Sequence, residues 1–272
     1  MPNILIIGAT RGLGASLANL YASRPNTTVF GTTRQDVAPT GSQFNDKIVW
    51  VRNIDVADSG VGARLVNQLG AIGGGGGGMV EGEGGVRSFD VVIITAGYFA
   101  TEDFTNGPNW DVEVKTYTTS SISPPFLIHS LHKSHYLPRG SKILLISSES
   151  GSITLRHPKE GGGNYAHHAS KAALNMVGKL LSLDLRDEGV IVSIVHPGFM
   201  RTEMTRGVGF DKFWEDGGAV TPDEAAGSIV EWVEGLTMER SGEYWAPRGP
   251  RDIGTAEVTM GKNLPTPLQL PW

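Results

Sequence analysis

The chain's first candidate for chemistry is the turn Gly8-Ala9-Thr10-Arg11-Gly12-Leu13-Gly14, which follows the apolar run Asn3-Ile4-Leu5-Ile6-Ile7 and opens into the helical stretch Ala15-Ser16-Leu17-Ala18-Asn19-Leu20. Glycines here let the chain turn tightly, let the backbone approach a pyrophosphate and let the helix pack close on the strand, while the helix N-terminal N–H groups face the phosphates. A glycine pattern alone is weak; one that leaves a strand and enters a helix reads as a dinucleotide turn. The chain has no cysteine, so thiolate catalysis, disulfides and Cys-ligated metals are excluded. His129, His132 and His135 recur at helical spacing, but no nearby carboxylate or cysteine completes a ligand set, so no metal is expected.

The elements that must position the turn alternate. Residues 3–8, 28–31, 48–51, 89–94, 142–146 and 190–195 read as short buried strands, and residues 12–23, 59–71, 110–133, 164–187 and 222–235 as helices. This alternation predicts an α/β architecture, a Rossmann-type doubly wound parallel sheet in a three-layer α/β/α sandwich, as a single domain over residues 1–272. Glycine makes up 37 of the 272 residues, about twice the ordinary ~7% share. Ten of those glycines fall in residues 70–85, which read as a flexible surface insertion.

Charge and hydropathy exclude other classes. With 23 basic against 28 acidic residues the net charge is −5, and no local basic patch offers a nucleic-acid surface. No stretch approaches the ~20 apolar residues that span a bilayer. Met1-Pro2-Asn3 enters the first strand without a basic leader, so a soluble cytoplasmic protein is expected.

The spacing Gly-x-x-x-Gly-x-Gly resembles that of the short-chain dehydrogenase/reductase family, and further matches follow in the family's order. Asp55-Val56 resembles its adenine contact and Thr95-Ala96-Gly97 its Asn-Ala-Gly turn. Ile146-Ser147-Ser148-Glu149-Ser150-Gly151 resembles the strand end carrying the catalytic serine, aligned with Ser148. Ala169-Ser170-Lys171 resembles the lysine helix, and His196-Pro197-Gly198-Phe199-Met200-Arg201-Thr202 the loop over the nicotinamide. The resemblance is closest to the C-factor-like carbonyl reductase branch. It implies cofactor contacts from Gly8, Thr10, Arg11, Gly12, Leu13, Gly14, Thr33, Arg34, Asp55, Val56, Ala96, Gly97, Lys171, Pro197, Gly198 and Thr202. It also implies a homodimer or homotetramer through the helices at 110–133 and 164–187.

The cofactor's identity follows from charge. An acidic residue ~20 positions beyond the turn would bind a ribose 2′-hydroxyl, whereas arginine accommodates a 2′-phosphate. The second strand ends in Thr32-Thr33-Arg34, and Arg11 lies within the turn. Two guanidiniums favour NADP(H).

The catalytic pattern departs from the family's Asn, Ser, Tyr and Lys. Four residues before Lys171, where the resemblance places the tyrosine, stands His167, and the asparagine position aligns with Ser120. Imidazole titrates near ~6.5, and a neighbouring ammonium lowers that further, so His167 is expected neutral and a poor acid. Four outcomes stay open. His167 acts as acid or hydrogen-bond donor; Tyr165, about 200° away on a regular helix, substitutes if the helix starts later; or the substrate, such as an iminium, needs no strong acid. In the fourth, reduction gives way to isomerisation, dehydration or cyclisation, with a catalytically inactive nucleotide-binding regulator as the further alternative. NADPH-dependent reduction of a C=O, C=N or activated C=C bond leads, because the cofactor half is intact.

Substrate contacts are expected where loops leave the carboxyl ends of the strands. Tyr98, Phe99, Phe199, Met200, Met204, Phe210 and Trp214 supply an aromatic and methionine-rich lining, suited to a hydrophobic small molecule. Residues 210–217 are expected to form a mobile lid.

Overall fold

Apolar residues on both faces of each strand demand cover on both sides, and the computed structural model, which describes residues 1–72, 86 and 88–272, supplies it. The strands are β1 (Asn3–Ile7), β2 (Thr28–Thr32), β3 (Ile48–Val51), β4 (Val91–Ile94), β5 (Lys142–Ile146), β6 (Ile191–Val195), β7 (Tyr244–Ala246) and β8 (Leu268–Gln269). Their order in the sheet is β3-β2-β1-β4-β5-β6-β7-β8. Every pairing is parallel except β7 with β8, so the expected parallel sheet carries one antiparallel strand at its edge.

Alternation along β1 divides the core in two. Ile4 and Ile6 pack with α1 (Gly12–Ala22) and α7 (Pro222–Glu234), while Leu5 and Ile7 join the cluster built on α2 (Val61–Ile72), α4 (Ser123–Lys133) and α5 (Tyr165–Asp184). The result is the Rossmann-type doubly wound sandwich. β1 and β4 lie side by side where the strand order reverses, which opens a crevice at their carboxyl ends.

Three local readings change. The helix expected over 110–133 is divided into α3 (Trp110–Tyr117), a π-turn over Thr118–Ile122 and α4. Pro124 and Pro125 have no N–H for the carbonyls of Ser120 and Ser121, and the hydroxyls of Thr118, Thr119 and Ser123 bond carbonyls four residues back. Lost donors and competing hydroxyls widen the helix at this point. Residues 70–72 of the expected glycine-rich insertion are the last turn of α2, and residues 73–85 lie outside the described residues. His135 has left the helix, with φ 60, and His132 sits 3.3 Å from the Glu188 carboxylate, so the three histidines do not share a helix face. Among the described residues, no cluster is arranged to hold a metal, and no helix is long and apolar enough to cross a membrane.

Candidate active site

The crevice holds a cleft of about 1140 Å³. At one end lies the Gly8–Gly14 turn. A Cβ on Gly14 would stand 2.1 Å from the Gly8 carbonyl oxygen, and one on Gly8 2.8 Å from the Ala96 nitrogen, so these two glycines permit the close packing of turn, helix and sheet. Gly12 is different: its φ is +51 and the nearest atom to an added Cβ is 3.6 Å away, on Thr202. Arg11 is the N-cap of α1 but its side chain makes no capping bond, whereas Asn109 caps α3 and Thr221 caps α7. The first N–H groups of α1 therefore face the cleft without a side-chain partner, a setting suited to phosphate oxygens.

Thr10, Arg11, Leu13, Arg34, Asp55, Val56, Ala96 and Gly97 line the same end. Thr33 does not: it is buried, its N–H bonds the Val51 carbonyl, and its hydroxyl accepts the Gln35 N–H. It holds the β2–β3 edge while Arg34, next to it, is exposed on the cleft.

The other end is built from α5 and the end of β5. Ser148 caps a 3₁₀ turn over Glu149–Gly151, its Oγ accepting the Ser150 N–H at 3.2 Å, which leaves the hydroxyl proton free to donate. Tyr244 donates its hydroxyl to the Ser148 carbonyl, so the buried tyrosine of β7 fixes the serine's backbone. Lys171 is buried, donates from Nζ to the Ile146 carbonyl at 2.8 Å, and is lowered by burial to about 8.

His167 is one helical turn ahead of Lys171 and lines the cleft. Burial first and the Lys171 ammonium second push it down to about 3, so the imidazole is neutral at pH 7. Its Nδ1 is sealed without a hydrogen-bond partner, leaving Nε2 as the nitrogen able to meet a ligand. Tyr165 begins α5, is 36% exposed and lines the cleft, and its hydroxyl stands 4.0 Å from where a Cβ on Gly162 would be. Ser120 lies in the π-turn, buried behind the cleft wall, its Oγ unpartnered; a Cβ on Gly97 would stand 3.9 Å from that oxygen and 3.8 Å from Lys171 Nζ.

Apolar residues close the remaining side. Tyr98, Phe99, Phe199, Met200, Met204 and Phe210 line the cleft, as does Phe213. Phe210 packs edge-on against Phe99 at 5.5 Å between centroids, fastening residues 210–213 to the opposite wall. Trp214 does not line the cleft; its indole N–H reaches the Thr205 hydroxyl at 3.3 Å and its ring faces Arg206. Pro197, Gly198 and Thr202 complete the rim, with Thr202 capping α6 (Glu203–Gly207).

Sequence spacing missed several polar residues here. Arg156 pairs with Glu149 and with Glu160, tying the loop before α5 to the serine turn. Glu102 accepts the N–H groups of Asn109 and Ala166, joining the loop after β4 to the start of α5. His196 and Asp252 meet beneath the rim, although 56 positions separate them. No motif spans such separations.

Comparison with known proteins identifies the family and the fold. A family model described as short chain dehydrogenase matches residues 2–212. The chain is 25% identical over 246 residues to a 1-hydroxy-2-glutathionyl-2-methyl-3-butene dehydrogenase of Rhodococcus sp. (strain AD45), covering 90% of this chain and 96% of that one. It is 27% identical over 160 residues to the C-signal protein of Myxococcus xanthus, covering 59% of this chain and 89% of that one. Among solved structures, the NADPH-bound carbonyl reductase from chicken fatty liver has the same fold, with a TM-score of 0.73 at 23% identity over 90% of this chain and 96% of that one.

Proposed function

The chain belongs to the short-chain dehydrogenase family, and from that premise we propose that it is an NADP(H)-dependent reductase of a C=O, C=N or activated C=C bond in a hydrophobic small molecule. The observation that carries this reading is one continuous cleft joining the uncapped α1 N-terminus and Arg34 at one end to Ser148 and Lys171 at the other. The residues fit the cofactor: the α1 N–H groups and the open space at Gly12 suit its pyrophosphate, and Arg11 and Arg34 suit a 2′-phosphate. Lys171, Pro197, Gly198 and Thr202 would hold the nicotinamide half. When bound, NADPH supplies a hydride.

The chain's own groups then divide the remaining work. Ser148 Oγ donates its free proton to the substrate oxygen or nitrogen and orients it. His167, at the position the resemblance gives to tyrosine, offers an N–H from Nε2 but no acidic proton at pH 7. Lys171, lowered by burial to about 8, offers a proton of useful strength near neutrality. Phe99, Phe199 and Phe210 exclude water from that proton. A neutral His167 also favours substrates that need little acid assistance, a C=N bond in particular, since hydride addition to an iminium leaves a neutral amine.

Exposed apolar residues support a homodimer or homotetramer. Val114, Ile122 and Phe126 on α3, the π-turn and α4, with Met176, Leu180 and Leu183 on α5, present their side chains outward. The direct test of the function is NADPH consumption against a panel of aldehydes, ketones, cyclic imines and enones. Tight NADPH binding with no turnover on any of them would exclude reduction and leave a non-redox enzyme or a nucleotide-binding regulator.

A further inference from the structure

Beneath the Pro197–Gly198 turn lies a buried polar chain that the proposed chemistry does not use. The Asp252 side chain is 1% exposed and that of His196 6%, and both residues border the cleft. Asp252 Oδ2 accepts the Phe199 N–H and stands 3.5 Å from His196 Nε2. On the other side of the ring, His196 Nδ1 accepts the Glu149 N–H at 3.0 Å. That bond requires a lone pair on Nδ1, which puts the imidazole proton on Nε2, aimed at the carboxylate. At 3.5 Å the contact is longer than a full hydrogen bond, and its attraction is that of an N–H dipole for a buried negative charge.

The turn is pressed against this chain. Gly198 has φ +104, and a Cβ there would stand 2.9 Å from Asp252 Oδ2 and 3.2 Å from Arg248 Nε. Burial favours the neutral acid, but His196 and the Phe199 N–H outweigh it and keep the Asp252 carboxyl below its usual range. Asp252 lies beyond residue 212, where the family match ends.

We infer that Asp252 is a positioning residue for the cleft: it holds the Pro197–Gly198 turn directly, through the Phe199 N–H, and holds the backbone beside Ser148 indirectly, through His196 and the Glu149 N–H. This rests on the reading that the cleft takes NADP(H) with its nicotinamide end between those two loops. The inference makes the segment around Asp252 part of the site, because one carboxylate steadies both the Pro197–Gly198 turn and the imidazole that joins that turn to the Glu149 backbone.

Two readouts test it. In amide NMR spectra of the protein without nucleotide, Asp252→Ala should shift both the Phe199 and the Glu149 amides, while Asp252→Asn, which keeps an acceptor oxygen, should restore Glu149 toward its wild-type position. Glu149 does not touch Asp252, so a purely local role would leave its amide in place. By fluorescence titration, Asp252→Ala should weaken NADPH about tenfold, the loss of one charge-assisted bond, and leave adenosine 2′,5′-bisphosphate unchanged. If Asp252→Ala does not fold, His196→Asn cuts the chain at its middle and should shift Glu149 and weaken NADPH while sparing the bisphosphate.

An unmoved Glu149 amide in the folded variant, or equal losses of NADPH and the bisphosphate, would overturn the inference. A wild-type protein that binds neither nucleotide would overturn the cofactor reading instead, and the amide shifts would still decide for or against the relay.

Discussion

The imidazole of His167 lies against the ring of Phe99, centroids 4.3 Å apart and planes tilted by 41°. Phe99 comes from the loop after β4 and His167 from the first turn of α5, so this contact closes the cleft wall between two elements distant in sequence. A histidine packed this way behaves as part of an apolar wall, and its titration couples to folding.

That coupling has a definite sign. The unfolded residue binds a proton near ~6.5 and the folded one near about 3, so between these values the unfolded chain carries more protons. Above ~6.5 the residue contributes nothing; as pH falls from there toward 3, stability declines by up to ~1.4 kcal/mol per pH unit from this group. His167→Gln should flatten the difference between urea midpoints at pH 7 and pH 5. Equal differences in both proteins would show that His167 does not titrate as described.

Replacing the imidazole with a phenol tests its chemical role. Beside the Lys171 ammonium, the tyrosine of His167→Tyr is a stronger proton donor than neutral imidazole, and carbonyl reduction should rise by about 10²-fold. Turnover of a cyclic imine should change far less. Steady-state rates on paired ketone and imine substrates read this directly, and an equal change on both would count against the assigned roles.

Cofactor choice should follow the guanidinium at the end of β2. Arg34 is exposed on the cleft, so Arg34→Glu removes one partner of a 2′-phosphate and adds repulsion without disturbing the core. The NADPH-to-NADH affinity ratio should fall by roughly 10–100-fold, in line with one charge-assisted hydrogen bond. Titration of both nucleotides into the variant checks it.

The glycines of the turn should respond differently to alanine. In Gly14→Ala the new methyl meets the Gly8 carbonyl at 2.1 Å, so the protein itself should lose about 1–3 kcal/mol of stability. In Gly12→Ala the nearest atom is 3.6 Å away but φ is +51, so the fold should lose only ~1 kcal/mol while NADPH binding weakens. Thermal melts alongside nucleotide titrations separate the two effects.

Assembly should depend on the outward apolar residues of α4 and α5. Phe126 and Leu180 are 55% and 52% exposed, and Phe126→Glu with Leu180→Glu should convert an oligomer to monomer without unfolding it. Light scattering after size exclusion gives the mass. A wild-type monomer would refute the assembly.

The strands and most helices were legible because apolar β-branched runs alternating with helical periods have few other solutions than a covered parallel sheet. The break at Ser120 was less so: Pro124-Pro125 was visible, but whether two missing donors end a helix or widen it depends on what packs around it. Strands β7 and β8 are too short to carry a pattern, and they exist because Val195 and Trp245 supply edges to pair with. The placement of Thr33 and Trp214 away from the cleft turns on single side-chain directions that no spacing specifies.

The glycine turn, the arginines and the Ser148 and Lys171 motifs were legible in the sequence, because each is recognised from neighbours a few residues away along its own strand or helix. Only the tertiary structure decided the burial that, with the Lys171 ammonium, holds His167 neutral, and the meeting of Asp252, His196 and Glu149. Burial and electrostatic coupling depend on distance through space, and folding brings together groups that the chain holds far apart.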